Sequence, residues 1–174
     1  EVDDHGYYKI LCEGTPFTSF SFDVGFNRGQ STKGWLEAQS PYLYIIGIEA
    51  NARLVSHFEH SSEFANARSY VQVLNVAAGT KEGGVSMFNP GFGWANSSDT
   101  GSLFGFSDPN REKESLKHIG KHILVRNLRL DALLAHVPLP RAPTFMWDTM
   151  KLDVQGADVD AMYSAGDYID NFVC

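Results

Sequence analysis

Little in this chain marks a stapled, metal-bound or membrane-spanning protein. Two cysteines, Cys12 and Cys174, lie near opposite ends of 174 residues, too few for a disulfide framework. No Cys/His spacing resembles a zinc site. No apolar run approaches the roughly 18 to 20 residues of a membrane helix, and there is no secretory h-region. Positive charge is scarce. Fourteen Lys and Arg against 21 Asp and Glu give a net charge of −7, which argues against non-specific binding to nucleic acid. The basic stretch from Arg111 to Arg129 is interrupted by Glu112 and Glu114 and reads as a solvated face. Internal repeats and low-complexity segments are absent. Asn96-Ser97-Ser98 fits the glycosylation pattern but, with no secretory signal, reads as chance. The chain opens at Glu1 rather than methionine, so a leader either removed or lying outside the given residues is expected, and the compartment stays unassigned.

What is present is an ordinary globular composition, 43% hydrophobic and 20% charged, expected to form a single domain over residues 1–174. The most informative stretch is Phe22-Asp23-Val24-Gly25-Phe26-Asn27-Arg28-Gly29. An acid ends an apolar run, two glycines follow, and Glu49 ends the next apolar run. A glycine-rich strand-to-helix turn with a later acid is the general dinucleotide- or nucleoside-binding arrangement. A pyrophosphate seeks free amides and positive potential, so Asp23 is a poor neighbour for one. A ligand with an ammonium group suits it better. This order favours S-adenosyl-L-methionine over NAD.

Alternation and turn residues predict a strand over Thr18–Val24, a helix over Gln30–Gln39 and a buried strand over Tyr42–Glu49. Asn51 caps a second helix whose Leu54, Val55 and Phe58 share one face. A third strand is expected over Tyr70–Ala78, a short one near Val85–Phe88, and a long loop to Asn110 whose Gly91–Trp94 portion suits equally an aromatic wall for a substrate or a surface loop anchored by Phe and Trp. His122–Leu130 reads as a strand and Asp131–Leu134 as a helical turn, before a proline-rich connection at Pro138–Pro143. Lys151–Gly156 reads as a strand ending in an acid and a glycine, and Ala157–Tyr168 as a helix burying Val159, Met162 and Tyr163. The strand-helix alternation implies right-handed crossovers and a mostly parallel sheet.

Four stretches together resemble the FkbM-type family of S-adenosyl-L-methionine-dependent methyltransferases. They are Phe22–Gly29, Gly47-Ile48-Glu49-Ala50-Asn51, Asn75-Val76-Ala77-Ala78-Gly79, and Leu128–Asp131 leading to Lys151-Leu152-Asp153-Val154-Gln155-Gly156-Ala157-Asp158. The likeness runs from about Thr18 to Ile169. It implies an α/β, Rossmann-like class I methyltransferase three-layer sandwich that methylates hydroxyls on sugars or small metabolites. Gln155 stands where members often carry glutamate, a mild departure. The family fold also needs closing strands for which only Phe172-Val173-Cys174 remain, so the domain is expected to be truncated, either as a piece of a longer protein or as a degenerate relative. A protein partner covering the sheet edge near Cys174 is one way to protect it.

The resemblance assigns Asp23, Gly25, Asn27, Gly29, Glu49 and Ala77 to the cofactor. Asp23 would take the ligand ammonium or the turn backbone, with a helix-capping acid as the ordinary alternative. Gly25 and Gly29 allow the sharp turn, Asn27 bonds the turn or the methionine carboxylate, and Glu49 suits a ribose diol. Asn75, Ala77 and Ala78 leave room for adenine, though small residues also pack helices. Lys151 and Asp153 share a strand face, each the simplest partner for the other's charge. Asp153 is the candidate at the methyl-transfer end, with His57, His60 and His118 as other proton acceptors. A histidine on such a surface is more often simply solvated. The second reading is a non-catalytic interaction module within a larger assembly.

Overall fold

A computed structural model describes residues 19–39, 43–81, 83–88, 123–137 and 146–172. Strand β1 (Ser19–Val24) is followed by helix α1 (Gln30–Gln39), β2 (Leu43–Ile48), α2 (Ala52–His60) and β3 (Val71–Leu74). A short β4 (Ala77–Ala78), β5 (Val85–Phe88) and β6 (Ile123–Leu128) precede α3 (Leu130–Leu134), β7 (Met146–Leu152) and α4 (Asp158–Ser164). The main sheet has the order β3-β2-β1-β7, all parallel. A smaller sheet, β4-β6-β5, pairs β5 antiparallel to β6.

Strand β2 is buried along its whole length, so its side chains serve two cores. Tyr44, Ile46 and Ile48 join Phe20, Phe22, Val24 and Trp147 on one face, under Leu130, Leu133 and Leu134 of α3 and Ala161 of α4. Leu43 and Ile45 pack on the other face with Val71, Phe26, Phe58 and Phe64. Helices thus cover both faces of a mostly parallel sheet, a Rossmann-like three-layer α/β sandwich. The chain winds outward from β1 through β2 to β3, then returns to place β7 on the other side of β1. That reversal lies between β1 and β7, and open α/β sheets bind ligands outside the carboxyl ends of the strands at such a point.

Three expectations are corrected. The strand expected over Tyr70–Ala78 is two strands in different sheets. Asn75 turns the chain out, its amide donating to the carbonyls of Glu49 at 2.9 Å and Ala50 at 3.1 Å, and Ala77–Ala78 pair with β6. The strand expected over Lys151–Gly156 ends at Leu152, where Gln155 and Gly156 take positive φ of 54° and 96° and turn the backbone.

The last helix buries a different face from the one expected. Val159, Met162 and Tyr163 are exposed, Tyr163 at 69%, while Ala157, Ala161 and Ala165 are buried at spacing i, i+4, i+8. Small side chains let this helix lie close to the sheet. The helix ends at Ser164 and continues as a 3-10 turn over Gly166–Asn171. Phe172 then bridges in parallel to Trp147 at the outer edge of β7. The loop around Gly91–Trp94, His118, the Pro138–Pro143 connection, Val173 and Cys174 lie outside the described residues.

Candidate functional site

The turn after β1 is built by what it excludes. Gly25 has φ 81°, and a Cβ there would lie 1.9 Å from the Asp153 carbonyl oxygen, so only glycine fits. Gly29 has φ 71°, with Phe26 and Phe64 where its Cβ would be. Asn27 adopts φ 52°, a left-handed conformation that Asn tolerates better than most residues. Among the described residues the only other non-glycine with positive φ is Gln155, in the turn after β7. Both exceptions therefore sit at the carboxyl edge where β1 and β7 end.

Glu49 follows β2 and is 7% exposed. Its two oxygens accept the backbone N–H of Asn27 and of Asn51, each at 2.8 Å. The carboxylate thereby ties the glycine turn to the start of α2. Burial pushes the Glu49 carboxyl above its ordinary value; the amides of Asn51 and Asn27 and the Lys151 charge pull it back, while Asp23 adds to the rise. Each carboxylate oxygen offers two acceptor sites, so half the capacity remains for a ligand. Two buried polar atoms beside it lack hydrogen-bond partners, Asn27 Oδ1 and Asn51 Nδ2.

Asp23 is fully buried. Its Oδ2 accepts the Thr32 hydroxyl at 2.8 Å, while Oδ1 makes no aligned hydrogen bond and instead faces the Lys151 ammonium at 3.3 Å. Burial raises the Asp23 carboxyl, opposed by the Lys151 charge and the Thr32 bonds. The ammonium beside Asp23 is therefore the protein's own, and the Thr32 contact ties it to the first turn of α1, as a capping acid would. Lys151 finds its closer partner in Asp23, with Asp153 at 3.7 Å. The β1–β7 register, which sets Asp23 against Lys151, is the signal that single-strand spacing could not supply.

Asp153 lies at the switch point, 55% exposed along its side chain, with Oδ1 accepting the Gln155 amide at 2.9 Å. Its backbone N–H donates to the Val24 carbonyl at 2.9 Å, which sets it beside the glycine turn. Asp158 closes the turn that follows by accepting the N–H of Val154 at 2.8 Å and of Gly156 at 3.1 Å. Ala77 is buried against Val125, away from solvent, in the small sheet. His57 and His60 are exposed on α2. His60 ends that helix, about 12 Å of helical rise beyond its start beside Glu49, and its Nδ1 is 2.8 Å from the Ser56 carbonyl. These histidines are not brought to the site. Among the described residues no group of three or more His, Cys, Asp or Glu could hold a metal ion, and no helix is long and apolar enough to cross a membrane.

No protein-family model and no curated protein matches the sequence. Among solved structures, the chain is similar to methyltransferase FkbM from Methylobacillus flagellatus KT, with a TM-score of 0.48 and 16% identity. The match covers 89% of this chain and 30% of that one, so this chain spans less than a third of that protein's length.

Proposed function

We propose that the carboxyl edge of β1, β2 and β7 binds S-adenosyl-L-methionine and that the chain carries the cofactor-binding part of a methyltransferase acting on a hydroxyl of a sugar or small metabolite. One observation supports a phosphate-free nucleoside over a dinucleotide. Every amide of the glycine turn is already engaged within the protein. Gly25 and Phe26 donate to the Ile48 carbonyl, Asn27 to Glu49, Arg28 to the Gln30 side chain and Gly29 to the Phe26 carbonyl. A pyrophosphate is held by free amides at a glycine turn and helix N-terminus, and the glycine turn itself leaves none free. What the turn offers instead is carboxylate and side-chain amide chemistry, from Glu49, Asn27 and Asn51.

In this reading Glu49 holds the ribose. Bound S-adenosyl-L-methionine supplies an electrophilic methyl group. Asp153, exposed at the end of β7, accepts the proton from an acceptor hydroxyl, a role that needs hydrogen-bond reach. Positioning of the acceptor supplies much of the rate in such a displacement. The test is transfer of labelled methyl from S-adenosyl-L-methionine to a panel of hydroxylated sugars and metabolites, with Asp153→Asn as control. Transfer that requires Asp153 supports the assignment. Cofactor binding with no transfer to any hydroxyl, in wild type and variant alike, removes the catalytic part.

A further inference from the structure

The proposed cofactor turn is held from two sides by different means. Toward β2, the N–H groups of Gly25 and Phe26 donate to Ile48. Toward β7, the last main-chain bond in this register runs from Asp153 N–H to Val24, one residue short of the turn. Past that point the link to β7 is a side chain. Lys151 Nζ donates to the Gly25 carbonyl at 2.8 Å while resting 3.3 Å from buried Asp23. Its side chain is 26% exposed, and its charge is also felt by Glu49 and Asp158.

We infer that Lys151 is a positioning residue of the cofactor turn: anchored on Asp23, its ammonium grips the Gly25 carbonyl and fixes the turn across the switch point. The inference rests on the nucleoside-binding reading above. An ammonium suits the task because one group can pair with the buried carboxylate and still donate to a carbonyl. Asp23 then acts without touching the ligand, as the counter-ion that keeps Lys151 in place.

Removing Lys151 alone would strand a buried carboxylate, and the resulting loss of stability would hide any effect on the turn. The informative variant is therefore Asp23→Asn with Lys151→Met, which removes both charges together. Isothermal titration with S-adenosylhomocysteine and thermal unfolding are measured on wild type, this double variant, Lys151→Met and Lys151→Arg. The double variant is expected to melt close to wild type yet bind about tenfold more weakly, the effect of losing one charge-assisted hydrogen bond that shapes the site. Lys151→Arg, which returns a cation to the same strand position, is expected to keep most of the affinity missing in the double variant. A double variant that binds like wild type overturns the role of Lys151, as does Lys151→Arg binding no better than the double variant. A folded wild type that takes no ligand overturns this inference and the nucleoside reading together, which separates the two failures.

Discussion

Glu49→Gln is the change that most directly probes how the turn is built. The carboxylate accepts two backbone N–H groups at 2.8 Å and is 7% exposed. A glutamine keeps one acceptor oxygen, so one of the two amides would face an NH2 group. Leaving a buried donor unpaired costs about 1 to 3 kcal/mol, partly offset because a neutral amide is less costly to bury than a carboxylate. A net loss of about 2 kcal/mol corresponds to roughly 4 to 8 °C in melting temperature for a domain of this size. Burial raises the Glu49 carboxyl, so the native state keeps a proton that the unfolded chain has released. That contribution is complete below the unfolded value and is lost as pH rises through the folded one. The gap between wild type and Glu49→Gln should therefore be wider near about pH 5 than near about pH 8 in melts followed by circular dichroism. A variant that melts with wild type across that range would refute the claim that Glu49 ties the turn to α2.

Gly25→Ala should destabilise by about 3 kcal/mol or more, since a Cβ 1.9 Å from the Asp153 carbonyl must force β1 and β7 apart at a positive φ; urea denaturation measures it. Asp158→Ala should cost about 1 to 2 kcal/mol, as loss of a side-chain cap does. Burial pushes the Asp158 carboxyl up, but the amides of Val154 and Gly156 and the Lys151 charge hold it below its ordinary value overall. Its contribution is thus present above the unfolded value and fades as pH falls through the folded one, so acid melts should show the wild-type advantage shrinking. Ala161→Leu should cost about 1 to 3 kcal/mol by overpacking, whereas Tyr163→Ser, 69% exposed, should stay within about 0.5 kcal/mol. The reverse ranking in thermal melts would restore the helix face expected from apolar spacing.

The first half of the fold was legible because its signals are local. The Gln30–Gln39 helix, the strand centred on Ile45 and Ile46, and the Asn51 cap with Leu54, Val55 and Phe58 follow from apolar runs and capping chemistry, and all are observed. The failures were those where partners lie far apart in sequence. Asn75 breaks a strand because its amide reaches Glu49 and Ala50, which periodicity cannot show. The last helix buries alanines because the sheet comes close, and hydrophobicity points to the larger residues instead. At the candidate site, the glycine turn and an acid ending the next strand followed from the pattern, while the bonds from the Asn27 and Asn51 amides to Glu49 did not. The engagement of Asp23 by Thr32 and Lys151 did not, because it needs α1 folded over β1 and β7 registered beside it.

The central claim is that the turn takes a nucleoside without phosphates. The direct measurement is calorimetric titration of the intact chain with S-adenosylhomocysteine, NAD and ATP side by side. Saturable binding of the first and none of the others is the predicted result, because the amides of the glycine turn are already engaged within the protein. Binding of NAD or ATP, or no heat from S-adenosylhomocysteine with a fully folded protein, would contradict it.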